Sequence, residues 1–136
     1  MLKKWPKADI SFVIPIYGGT VHIYYEQDKF NKALAFIGCE EYILKEKVNG
    51  GCKEFVNSEN EIIYVILWSS KLISTLVHEL THCALTTLDR VGINVKVEDT
   101  SSQEVLCYLL GELVYKTGFD DKLLPLTVGK STKEMK

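Results

Sequence analysis

The chain has 136 residues, 46% of them hydrophobic and 25% charged, which suits a single soluble globular domain. A formal net charge of −2 offers no basic field for a phosphate backbone, so nucleic acid is not an expected partner. The longest apolar run, residues 62–68, falls far short of the about 20 residues a spanning helix needs. The basic start at residues 1–7 is not followed by the unbroken apolar stretch of a signal peptide, so no membrane is expected and the chain should stay in the cytoplasm where it is made.

In chain order, residues 11–17 alternate around Phe12, Ile14 and Ile16 and read as a strand, with Pro15 arguing for an edge or a bulge. Gly18-Gly19 is a turn signal, and residues 21–25 form a second β-rich run, so the two should pair closely. Asp28 is placed to cap a helix over residues 29–37, with Phe30, Ala33, Leu34 and Ile37 on one face and Gly38 ending it. The Leu44/Glu46/Val48 alternation suggests a strand over residues 42–48. Asn49-Gly50-Gly51 then reads as a turn, residues 53–56 as a strand, 57–60 as a turn and 61–68 as a well-packed strand.

Ser69-Ser70 offers a cap for one long helix over residues 71–90, with Ile73, Val77, Leu80, Ala84 and Leu88 as its apolar stripe and Gly92 closing it. After a loop at 93–100, Ser101 starts a second helix over 103–116, with Leu106, Leu109, Leu110 and Leu113 on its core face. The four cysteines lack C-x-x-C spacing; Cys83 and Cys107 fall in apolar helical patterns and read as buried thiols. The order of elements gives an α+β domain over residues 1–128: a small antiparallel or mixed sheet with an N-terminal helix, then two helices packed antiparallel. Residues 129–136 read as a disordered polar tail.

The chemistry concentrates in His78-Glu79-Leu80-Thr81-His82. A helix advances 100° per residue, so His78 and His82 stand one turn apart on one face and can share one metal ion. Glu79 is offset beside them, where a carboxylate can act as general base toward a water whose pKa zinc lowers to about 7. By average residue usage, a chance H-E-x-x-H in a chain this short is on the order of a few in a thousand. Zinc also needs a third protein ligand, for which Glu98, Asp99, Glu104 and Glu112 are the downstream candidates. Glu98 and Asp99 lie on a loop, and Glu112 is two helical turns beyond Glu104. Spacing alone leaves Glu104 with two roles, because Ser101-Ser102-Gln103-Glu104 is also a capping box.

The segment over about residues 62–115, carrying His78-Glu79-Leu80-Thr81-His82 and the helix pattern Glu104-Val105-Leu106-Cys107-Tyr108-Leu109-Leu110-Gly111-Glu112-Leu113, resembles the gluzincin metallopeptidases, and more closely their minimal phage- or prophage-type members. The stretch Pro15-Ile16-Tyr17-Gly18-Gly19 carries the likeness more weakly. The resemblance implies a zinc peptidase with His78, His82 and Glu104 as ligands, Glu79 as base and a peptide or protein as substrate. It also implies that the strand before the motif helix lies at the sheet edge, where a peptide can add. Larger gluzincins carry an aspartate four residues after the glutamate ligand; here that position is Tyr108, read as core or as a hydroxyl that orients a ligand. No residue clearly matches their distal oxyanion-stabilising group. His22, the third histidine, lies on a predicted strand and reads as structural or exposed. The alternative to an enzyme is a zinc-holding interaction module of the same fold without turnover.

Overall fold

The computed structural model describes residues 5–118. The tail expected at 129–136 lies outside them. The described chain is α+β, with a four-stranded mixed sheet in the order β1-β2-β4-β3 and three α-helices. Strands β1 (Ile10–Val13) and β2 (Thr20–Tyr24) form the expected antiparallel pair. Helix α1 (Gln27–Phe36) follows, then β3 (Gly50–Val56) and β4 (Ile62–Trp68). Strand β4 runs parallel to β2 and antiparallel to β3.

The pleat sends alternate side chains to two faces. Val21, Ile23, Tyr64, Ile66 and Trp68 face one core, closed by helices α2 (Ile73–Arg90) and α3 (Thr100–Lys116), which pack together. Tyr24, Val65 and Leu67 face the other, closed by Phe30, Ala33 and Leu34 of α1. Each fully buried leucine among them, such as Leu34, Leu67, Leu76, Leu80, Leu88 and Leu113, is worth about 1.5–3 kcal/mol of burial. No helix among the described residues is long and apolar enough to cross a membrane.

Several local expectations are corrected. The strand expected at 42–48 is absent: a 3-10 turn (Glu40–Tyr42) is followed by irregular chain. The polar side chains of α1 take the hydrogen bonds that a strand would need. Asn31 donates to the Leu44 carbonyl at 2.9 Å and accepts from its amide at 3.0 Å, while Gln27 donates to the Glu46 carbonyl at 2.7 Å and accepts from the Val48 amide at 3.1 Å. Gly50 and Gly51, expected in a turn, are the first residues of β3 and pair with Trp68 and Leu67. Strand β4 has neighbours on both sides, so it is interior, and the edge strand beside it is β3. Strand β1 stops at Val13, and the chain turns through Ile16 at φ 67 and two positive-φ glycines, Gly18 and Gly19.

The helix starts also move. Helix α1 begins at Gln27, with Asp28 in its first turn rather than at the cap. Ser70 does not cap α2; its hydroxyl accepts from the Leu72 amide at 3.2 Å, just after Lys71 has turned the chain through φ 57. The buried face of α2 centres on Leu76, Leu80, Cys83 and Thr87, leaving Ile73 exposed. Helix α3 is capped by Asp99, whose carboxylate accepts from the Ser101 amide at 3.1 Å. That amide is therefore taken, and the capping box between Ser101 and Glu104 does not form. Cys83 is buried, but Cys107 is exposed, because it lies off the Leu109/Leu113 face that α3 buries.

Candidate metal centre

Helix α2 fixes the site through its own periodicity. Its buried face holds it on the sheet, so His78 and His82 point to solvent on the opposite side, with ring centroids 4.9 Å apart and planes at 78°. Glu79 is turned one helical step, about 100°, back toward the sheet and is 7% exposed. The ligand-capable atoms of His78, Glu79 and His82 all lie within 4.8 Å of one another. These three residues form a group that could hold a metal ion, and it is such a group as the sequence motif implied. Burial raises the Glu79 carboxyl above its ordinary value, opposed by the two neighbouring imidazoles. Held there, Glu79 is an acid that can both take and return a proton nearer neutral pH than a solvated glutamate can.

The wall beside Glu79 is the start of β3. A hollow of about 430 Å³ lies between Asn49 and Gly50 on one side and Ser74, Thr75, His78 and Glu79 on the other. The sequence pattern gave no sign of this wall beyond its glycines, which were read as a turn. A glycine inside a strand marks a close backbone approach, and that was the available signal.

The remaining candidates fall elsewhere. Glu104 is exposed near the start of α3 and is not part of the three-residue group. Glu98 and Asp99 are exposed, and Asp99 is occupied as the α3 cap. Glu112 borders a separate hollow of about 290 Å³ with Val105, Tyr108, Leu109 and the Pro15–Tyr17 turn. Tyr108 is 74% exposed, so it is not core. His22 sits on the α1 side of the sheet, away from α2, with Nδ1 2.8 Å from the Ser11 hydroxyl and its ring 4.9 Å from that of Trp5. Its burial there lowers its pKa, as fits a structural histidine.

The fold and the site together define an α+β protein with an exposed pair of histidines beside a buried glutamate. Comparison with known protein families, curated proteins and solved structures yields no match.

Proposed function

We propose that the chain is a zinc-dependent peptidase of the minimal gluzincin type, a phage or prophage form acting in the cytoplasm, with His78, His82 and Glu104 holding the ion. The observation that carries this reading is the close His78-Glu79-His82 group. The donor set fits zinc: two imidazoles and a carboxylate are ligands it favours, whereas magnesium and calcium prefer oxygen alone. Among the described residues, no hydrogen bond engages either ring of the pair, which leaves their nitrogens available to coordinate. Glu104 is likewise exposed and released from the capping role.

Zinc, when bound, supplies a Lewis acid that brings the pKa of water toward neutrality and polarises a carbonyl. The chain's part is proton transfer and positioning. Glu79 accepts the proton of the attacking water on a carboxylate oxygen, and the same carboxyl then donates it to the departing amine nitrogen. The outer edge of β3, at the end of the sheet and beside Glu79, offers main-chain groups to an extended peptide. Strand β4, paired on both sides, does not.

A second reading, a zinc-holding interaction module without turnover, is favoured by the position of His22 on the far face of the sheet, which removes it as an oxyanion donor. Glu79→Gln separates the two. The peptidase reading expects hydrolysis of an unfolded protein such as casein to fall about 10²–10⁴-fold while zinc content is kept. Equal hydrolysis by wild type and variant would refute the mechanism.

A further inference from the structure

Gly50 borders the hollow beside His78 and Glu79. It lies in β3 opposite Trp68, with none of the positive φ that would call for glycine on conformational grounds. Its lack of a side chain therefore answers a need for space. A methyl carbon built on Gly50 would stand 2.7 Å from Cγ2 of Thr75, 2.8 Å from Oε2 of Glu79 and 3.2 Å from the carbonyl oxygen of Leu67. Carbon atoms in contact prefer about 3.5–4.0 Å, so the first approach is a clash, and the carbon–oxygen approach to Glu79 is also too short to stand without a shift. Gly51 makes the contrast. The same construction there meets Leu44 and Phe30 at 3.7 Å, an ordinary contact on the other face of the sheet.

A displacement of Thr75 or of the Glu79 carboxylate would have to follow from any side chain at residue 50. Thr75 is one turn before Glu79 on α2, and both border the same hollow as Gly50. Glu79 is buried but borders this hollow, so a carboxylate pushed away from residue 50 would swing into the hollow and out of its present place. We propose that Gly50 is a positioning residue for Glu79: its missing side chain lets the carboxylate lie against the β3 backbone, beside His78 and within reach of the same ligand. The proposal rests on the peptidase reading for its kinetic consequence, but not for the placement itself.

Two measurements test it. In the metal-free protein, nuclear Overhauser contacts from the Gly50 α-protons should reach the Thr75 methyl and the Glu79 γ-protons; their absence overturns the placement whatever the activity. In the zinc-loaded protein, Gly50→Ala should lower kcat by about 10–100-fold, the scale of a small misplacement of a reacting group. KM should stay within about twofold, since uniform binding is not removed. The double variant Gly50→Ala/Thr75→Ser removes the Cγ2 clash but leaves the one with Glu79. A kcat that stays low in the double variant supports positioning of Glu79, whereas recovery to wild type assigns Gly50 to packing alone and overturns the proposal. If the wild-type protein shows no hydrolysis, the peptidase reading fails, and the nuclear Overhauser contacts alone decide the placement.

Discussion

Cys83 follows His82 directly, yet one step of 100° around α2 carries it from the solvent side into the core. Burial pushes its thiol from the ordinary 9.0 up to about 12; the hydrogen bond to Thr87 lowers it and the charge of Glu54 adds to the rise. The folded state thus holds the thiol proton more tightly than the unfolded chain does. Its stabilising effect is complete below about pH 9 and is lost as pH climbs through about 12. Denaturant midpoints should therefore fall between pH 9 and 12, and Cys83→Ala should fall less steeply over that window. Parallel slopes in wild type and variant would count against a buried, protonated Cys83. The same helical arithmetic made His78, Glu79 and His82 legible in the sequence, because one turn of helix fixes their relation without help from the rest of the chain. Cys107 was misread because an apolar neighbourhood in sequence does not say which side of α3 is buried; that depends on where Leu109 and Leu113 find their partners.

At the level of elements, local signals marked the helices and the β4 strand, and long-range ones decided the rest. The Ile62–Trp68 run is apolar throughout, as an interior strand must be, yet its two neighbours come from residues far apart in the sequence. Periodicity cannot reveal neighbours, so the assignment of this sheet edge to β3 rather than β4 was beyond it. The alternation at 42–48 was outweighed by Asn31 and Gln27, whose amides reach over from α1. Helix α3 shows the same competition at its start: Asp99 and Ser101 are both good cap residues, and the structure uses Asp99. Asp99→Ala should cost about 1 kcal/mol of stability, within a range of roughly 0.5–2, while Ser101→Ala should be nearly neutral. Urea unfolding of the two variants checks this. A larger loss from Ser101→Ala would restore the capping box and return Glu104 to a structural role.

For the molecule as a whole, the sheet separates two cores, and the candidate site lies on one side of it. The α1 side carries His22, Trp5 and the irregular 43–49 segment, held by side-chain hydrogen bonds. The α2 and α3 side carries the His78-Glu79-His82 group, the hollow beside Gly50 and the exposed Glu104. A ligand bound at this group stabilises only the folded chain, since the site is assembled by α2 and its packing. The proposed function depends on zinc binding by His78 and His82, and its direct test is metal analysis of protein purified without added zinc, paired with melting curves. The expected result is about one equivalent per chain, lost in His78→Ala and His82→Ala, with a melting temperature that rises on zinc addition in wild type alone. Less than about a tenth of an equivalent, with no rise in melting temperature on adding zinc, would contradict it.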